Sequence, residues 1–161
     1  MKSGASITGT KEVVVRLQRI RGRAEHPRRV WSAVGRLVSR EVRKQFATEG
    51  ANFGTPWKPL KPEYRAWKSR EYPGRGILVA SGSLRSGFTS RPMDIERISD
   101  KEGVYGSSSP LAVFHQFGTH SHQTGEQILP PRPILRVTRK LSKGVAETIA
   151  RYIMDGRLEG P

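Results

Sequence analysis

Apolar residues recur at the period of an α-helix near both ends of the chain. A first stripe starts after Lys11 and is interrupted by the sequence GRAEHP. A second predicts a long amphipathic helix ending near Gly50, and its members are Val30, Trp31, Val34, Leu37, Val38, Val42 and Phe46. A third predicts a last helix ending at Asp155-Gly156, and its members are Ile134, Thr138, Leu141, Val145, Ile149 and Ile153.

The middle of the chain predicts short elements separated by loops. Residues 50–76 are rich in Gly and Pro, so the only regular structure expected there is a short helical turn at Glu63–Ser69. Three pieces have the composition of strands, Phe88–Arg91, Ile95–Ser99 and Gly103–Ser107. The turn DKEG between the last two predicts an antiparallel hairpin.

A short helix and a loop are predicted before the last helix. Pro110 can open the helix PLAVFHQFG, on which Leu111, Phe114 and Phe117 share one side. Residues 118–127 are polar and bounded by Gly, which predicts a projecting loop. The first ten residues are small and polar, which predicts a mobile arm.

Charge adds information about partners. The 161 residues carry a net charge of +15, with +8 in residues 1–49 and −3 in residues 93–131. Such a field favours polyanions, either nucleic acid or an acidic protein face, and opposes self-association unless a counter-charge is present. A basic surface with no nucleic-acid role is the plainer alternative.

Composition and motifs argue against several classes of protein. The absence of Cys excludes disulfide scaffolds and Cys-ligated metal sites, and no apolar run is long enough for a membrane span. The N-terminus lacks the apolar region of a secretory signal. Phosphate-binding loops, dinucleotide fingerprints and nucleophile elbows are missing, and Ser81, Ser83 and the serines at 107–109 have no local base. We therefore expect no catalytic residue and no cofactor.

Three histidines are the strongest metal candidate. His115, His120 and His122 could hold Zn or Ni if the loop folded back, as in a metal-dependent hydrolase. Nothing in the polar loop fixes their geometry, so the favoured interpretation is a solvated pair and a half-buried His115 that hydrogen-bonds a nearby carbonyl. We expect no metal.

Aromatic residues alternate with Lys and Arg in the Pro-rich segment. Trp57, Tyr64, Trp67 and Tyr72 could stack single-stranded bases, but the composition is also typical of a protein interface, which we favour. Because its segment lacks core periodicity, Trp57 is expected to act in assembly more than in folding.

Several segments, in order, resemble one known family. They are FATEG at 46–50 with WKPL at 57–60, LVASGSLRSGF at 78–88, AVFHQFGT at 112–119 and ILPPRPIL at 128–135. Together they resemble the virion morphogenesis (tail-completion) proteins of tailed bacteriophages, the Mu-type family. The resemblance covers about residues 30–155 and leaves residues 1–29 as a basic arm and helix and 156–161 as a tail.

The resemblance implies a non-enzymatic structural protein. It implies an α+β fold with long N- and C-terminal helices on a small antiparallel β-sheet, extended loops and assembly as a ring, often a hexamer. Its place would be the virion tail or neck, after assembly in the host cytoplasm. The partners would be other copies, neighbouring neck proteins such as a connector or stopper ring, tail terminator or tail tube, and the genomic DNA in the lumen. A free-standing basic nucleic-acid-binding protein is the alternative.

Two groups of residues are the predicted sites. The expected subunit interface consists of Trp57, Tyr64, Trp67, His115, Gln116, Phe117, Gly118, Thr119, Pro130, Pro131, Arg132 and Pro133. Here Gly118 turns the chain, Pro130-Pro131 stiffens its return, and Arg132 bonds carbonyls of a neighbouring segment. The expected face toward an acidic partner or a DNA channel consists of Arg36, Arg40, Arg43, Lys44, Arg139, Lys140 and Lys143.

Overall fold

The structure, a computed structural model, describes residues 9–158. Most of the predicted N-terminal arm and the last three residues lie outside this range. The elements are α1 (Thr10–Glu25), α2 (Arg28–Ala47), a 3-10 turn (Ala51–Phe53), α3 (Pro62–Glu71), α4 (Ser83–Thr89), β1 (Ile95–Ile98), β2 (Gly103–Gly106), α5 (Pro110–Phe117), β3 (Thr119–His120), β4 (Gln127–Leu129) and α6 (Arg139–Asp155).

Helix α2 is the centre of the core. Its apolar stripe is buried, and α6, α4 and the β1–β2 hairpin all pack against it. Leu37 of α2 faces α6 at Gly144, where an added Cβ would come within 3.1 Å of the leucine. Tyr105 of β2 donates a hydrogen bond to the carbonyl oxygen of Trp31, and burial raises the pKa of Tyr105 to about 12. The apolar residues at helical spacing in the sequence therefore predicted α2 correctly.

The α+β class is confirmed, with six helices and two antiparallel two-stranded sheets among the described residues. The predicted hairpin is present, and Ile95 pairs with Gly106 while Ile98 pairs with Gly103. Within residues 9–158, no helix is both long and apolar enough to cross a membrane.

One strand prediction was wrong, and one predicted loop is flanked by short strands. Phe88–Arg91 is not a strand, because Leu84 and Phe88 lie one helical turn apart in α4 and both are buried against the core. The loop at 118–127 contains a second hairpin, in which Thr119 pairs with Leu129. Its strands are two and three residues long, too short for an alternating pattern to be recognised.

The last helix begins later than predicted. Ile134 is fully buried but lies before α6, and Thr138 caps the helix by accepting a hydrogen bond from the Leu141 amide at 3.1 Å. The predicted end at Asp155 is confirmed, with Gly156 in the left-handed region.

Helix α1 is attached to the end of α6. The Nε atom of Arg23 donates to the carbonyl oxygen of Ile153 at 2.7 Å, and its Nη2 atom donates to that of Met154 at 2.8 Å. The helix continues through Gly22 to Glu25, farther than the predicted interruption.

Candidate functional site

The carbonyl oxygen of Pro133 joins three distant segments. Gln45 donates to it from its Nε2 atom at 2.9 Å, and Trp57 donates from its indole Nε1 atom at 3.0 Å. Trp57 is only 4% exposed and packs edge-on against Phe46, with ring centroids 5.4 Å apart. The premise that Trp57 lies outside the core is therefore wrong, and its contacts belong to the fold of a single chain.

Gln116 and Arg132 hold the chain on either side of this junction. The Oε1 atom of Gln116 accepts from the amides of Ile134 at 2.9 Å and Leu135 at 3.1 Å, and its Nε2 atom donates to the Leu135 carbonyl at 2.8 Å. Arg132 is buried, and its guanidinium donates to the carbonyl of Lys58 at 2.9 Å. Arg132 thus bonds carbonyls of a neighbouring segment as predicted, and these carbonyls belong to its own chain.

Gly118 makes the turn that the sequence predicted. Its φ of +76° lies in the region that favours glycine, and an added Cβ would come within 2.6 Å of the Leu129 carbonyl oxygen. The β3–β4 hairpin leaves the helix at this point, with Thr119 in its first strand and Pro130-Pro131 directly after its second. The geometry positions this hairpin beside α5.

The outer side of α5 is apolar and exposed. Leu111, Val113, Phe114 and Phe117, here called the α5 surface, all lie in contact with solvent, and Phe117 is 72% exposed. Ala112 and Gln116 point instead toward the core side. The sequence placed Leu111, Phe114 and Phe117 on one side of a helix correctly, but that side is not covered by the rest of the described chain.

A groove runs beside the α5 surface. It has a volume of about 420 Å³ between α3, the segment before α4, α5 and β4, and its apolar lining includes Leu60, Tyr64, Leu78, Leu84, Leu111 and Ile128. An open apolar concavity of this size suits side chains or a ligand of moderate size. The sequence gave no sign of this groove, because its walls come from four separated segments.

His115 lines the same groove. Burial, reinforced by the positive charge of Arg132, lowers the pKa of His115. Its Nδ1 atom is buried and has no hydrogen-bond partner within residues 9–158. The predicted half-buried position is confirmed, whereas no hydrogen bond from the imidazole to a carbonyl is present among the described residues.

The groove also brings Ser81 and Ser83 near His115, a proximity that the sequence did not indicate. The two serine hydroxyl oxygens lie 3.0 Å apart, but no hydrogen bond between described residues links either one to the imidazole. In the described part of the chain, no three His, Asp or Glu side chains are grouped as a metal ion would require. The geometry assembles neither a nucleophile–base pair nor a metal centre there.

Tyr64 and Trp67 form an exposed aromatic pair on α3. Their ring centroids lie 5.2 Å apart, and both side chains are exposed. Lys68 of the same helix is buried and donates to the Gly76 carbonyl, and burial lowers its pKa. Tyr64 and Trp67 therefore remain available to a partner.

The predicted basic face is exposed on both helices. Its α2 and α6 parts meet at Glu41, whose carboxylate lies 3.1 Å from Lys44 and 3.7 Å from Lys140. Burial raises the pKa of Glu41, but hydrogen bonds from Lys44 and Asn52, with the charge of Lys140, outweigh burial and leave the pKa below its ordinary value. The remaining members are Arg36, Arg40, Arg43, Arg139 and Lys143, all exposed.

Comparison with known proteins agrees with this architecture. The family model of the phage virion morphogenesis family matches residues 8–154, so the match includes α1, which the resemblance in the sequence had left outside. No curated protein and no solved structure matches the chain. The chain belongs to the phage virion morphogenesis family, and its role is that of a structural component associated with the phage virion.

Proposed function

We propose that the chain is a tail-completion subunit that forms a ring at the junction between the phage tail and the head-side connector. The observation that carries this proposal is the α5 surface, whose member Phe117 is 72% exposed. A contiguous apolar patch of this kind marks a site of protein–protein contact. Contact between copies of a chain of net charge +15 also requires a counter-charge, which DNA or an acidic neighbouring ring would supply.

A ring accounts for the position of this surface. Subunits that contact each other head to tail use two different faces, and closure of the rotation gives a ring. The α5 surface and the adjoining β3–β4 hairpin supply one such face. Tyr64, which is paired with the exposed Trp67, lines the groove beside it. Phe117, Gly118 and Thr119 thus lie where a neighbouring copy would sit.

The basic face supports a position around the DNA passage. Arg36 and Arg40 are exposed on α2, and Arg139 and Lys143 are exposed on α6. In the assembled neck these cations would face the DNA in the lumen or an acidic neighbouring ring, because either one offsets their mutual repulsion. The proposed partners are other copies of the chain, the connector or stopper ring, the tail terminator or tail tube, and the genomic DNA.

Joining of heads and tails tests the proposal. Particles produced without this protein are expected to accumulate as separate heads and tails, and the added purified chain is expected to join them. Phe117→Asp should fail to join them, because an ionised carboxylate in an apolar contact is strongly disfavoured. Val137→Asp is the matched control, since Val137 is 80% exposed and lies outside the α5 surface.

Two outcomes would overturn the proposal. One is that heads and tails join equally well without the chain. The other is that Phe117→Asp and Val137→Asp restore joined particles to the same extent.

A further inference from the structure

We propose that the groove beside α5 binds an acidic segment of another protein, which places a Glu or Asp carboxylate against Lys68 and Arg132 and apolar side chains against the rest of the lining. Both cations are buried and line the groove, and none of the described residues that line it is acidic. Such a site lies within one subunit, so it goes beyond the proposed ring and does not depend on it.

The two buried cations have no counter-ion in their own chain. Lys68 and Arg132 are each 4% exposed, and neither forms an ion pair with any residue between 9 and 158. Lys68 donates to the carbonyl of Gly76, and Arg132 donates to those of Lys58 at 2.9 Å and Pro59 at 3.2 Å. Because Lys and Arg are rarely buried so fully unless an anion pairs with them, the missing charge is one that a ligand can supply.

Both side chains also keep donors that the described chain does not use. Within residues 9–158, no hydrogen bond involves the Nη1 group of Arg132, and the ammonium group of Lys68 makes one hydrogen bond although it has three protons. An ionised carboxylate accepts several hydrogen bonds, and those from cations are stronger than those between neutral groups. A single carboxylate is therefore a suitable ligand for the two cations.

The positive charge of these residues extends along the groove to α5. Burial lowers the pKa of His115, and the charge of Arg132 lowers it further. Burial also lowers the pKa of Lys68, an effect that Glu49 opposes and Arg132 reinforces. Glu49 does not line the groove, and its Oε1 atom accepts from the Ile77 amide at 2.7 Å. The groove is therefore a region of positive potential, which favours an anionic occupant.

The apolar lining favours a carboxylate with apolar neighbours over the phosphate backbone of DNA. The aliphatic lining residues are Leu60, Leu78, Val79, Leu84, Leu111, Ile128 and Leu129. A DNA strand carries a charge at every nucleotide, so several phosphates would have to approach apolar side chains, which is costly. A Glu or Asp side chain brings one charge, and its neighbours in a protein can be apolar.

A protein is a better candidate than a small free acid, because the groove is continuous with the α5 surface. Leu111 belongs to both, and the remaining members of the α5 surface are exposed beside it. A contiguous exposed apolar patch marks contact with another protein. A partner that covers the α5 surface can therefore extend an acidic segment into the groove.

Because the chain has no cysteine, a thiol introduced into the groove reports directly on what the groove binds. Ser83 is exposed and lines the groove, so full-length Ser83→Cys is equilibrated in a thiol–disulfide buffer with a capped peptide of sequence Cys-Gly-Leu-Glu-Leu. Twin peptides carry Gln or Lys in place of Glu, and intact mass measures the linked fraction. The matched control is Val137→Cys, because Val137 is exposed, follows Arg136 and does not line the groove.

We expect Ser83→Cys to capture about tenfold more of the Glu peptide than of the Gln peptide, and least of the Lys peptide, because hydrogen bonds to a charged acceptor are the stronger ones. At Val137→Cys the ratio of Glu to Gln peptide should be at most about twofold, which measures the general attraction of a basic surface for an acid. Equal ratios at the two sites overturn the inference. Stronger capture of mercaptohexanoic acid than of the Glu peptide overturns the assignment to a protein segment.

A second variant tests whether a buried cation causes the selectivity. Lys68→Met in the Ser83→Cys chain keeps the aliphatic stem, removes the charge and should lower the ratio of Glu to Gln peptide by about threefold or more. Lys58→Gln, at an exposed lysine outside the groove lining, should leave the ratio unchanged. An unchanged ratio in a folded Lys68→Met chain overturns the inference, and if this variant does not fold, the peptide comparison in Ser83→Cys decides alone. Neither measurement needs an oligomer, so a negative result leaves the proposed ring standing.

Discussion

The indole Nε1 atom of Trp57 donates a hydrogen bond to the carbonyl oxygen of Pro133, 3.0 Å away across 76 residues of chain. Trp57→Ala is expected to lower the free energy of unfolding by about 3–5 kcal/mol, because it removes a buried aromatic ring together with this bond. Urea unfolding of the purified chain measures the loss. Trp67→Ala is the matched control, since Trp67 is an exposed tryptophan.

A different pattern would restore an assembly role for Trp57. If Trp57→Ala unfolds at the wild-type urea concentration but fails to assemble, Trp57 stabilises the assembly and not the fold of the single chain.

Glu41 is expected to make the α2–α6 contact sensitive to acid. Since the pKa of Glu41 in the folded chain lies below its ordinary value, the ionised carboxylate stabilises the fold above the unfolded pKa, about 4.3. That stabilisation is lost as the pH falls through the lower, folded pKa. Glu41→Gln should therefore flatten the pH dependence of the unfolding free energy in the acid range, whereas Glu147→Gln, at an exposed carboxylate, should not. Equal slopes for wild type and Glu41→Gln would contradict the role of this ion pair.

His115 is expected to add a second step to the pH dependence of stability, at a higher pH than the step of Glu41. Its pKa is lowered by burial, so below about pH 6.5 the unfolded chain binds a proton that the folded chain does not. The contribution of His115 to thermal stability should therefore be constant above about pH 6.5 and decline as the pH falls from about 6.5 to the folded pKa. His115→Gln should remove this step, and His122→Gln, at an exposed loop position, should retain it. Circular dichroism melts across the pH series decide, and superimposable profiles for wild type and His115→Gln would show that His115 is not the group responsible.

The pattern of helical residues predicted α2 well, because the information lies within one helix. Val34, Val38 and Val42 repeat at helical spacing and are buried as expected. Proline at 110 and glycine at 118 marked the ends of α5 for equally local reasons.

Contacts between distant segments were not predictable in this way. Trp57 lies in a Gly- and Pro-rich stretch without periodicity, and its burial depends on Pro133 and Phe46. Gln116 gave no sign that it would hold the amides of Ile134 and Leu135. Of the residues predicted for the subunit interface, Phe117 is exposed, whereas Trp57 and Arg132 are buried, because a sequence motif does not distinguish residues that build a fold from those that it exposes.

The basic face gives a prediction about joining that avoids structural residues. Arg36→Glu combined with Arg40→Glu should block the joining of purified heads and tails, and higher salt should weaken joining by wild type. Arg43 is left unchanged because its Nη2 atom donates to the Thr89 carbonyl at 2.6 Å. Lys101→Glu, an exposed change in the β1–β2 turn, is the control.

Two results bear on the alternatives for this face. If the double variant joins heads and tails as well as wild type does across a salt series, the basic face has no role in joining. Salt-dependent binding of isolated monomers to DNA would favour a free-standing nucleic-acid-binding protein instead.

The native mass of the purified full-length chain tests the ring most directly. The account predicts a single closed oligomer for wild type and for Val137→Asp, and a folded monomer for Phe117→Asp, since only that change puts a charge into the α5 surface. A wild-type chain that remains monomeric over the whole concentration range, or an oligomer of unchanged mass in Phe117→Asp, would contradict it.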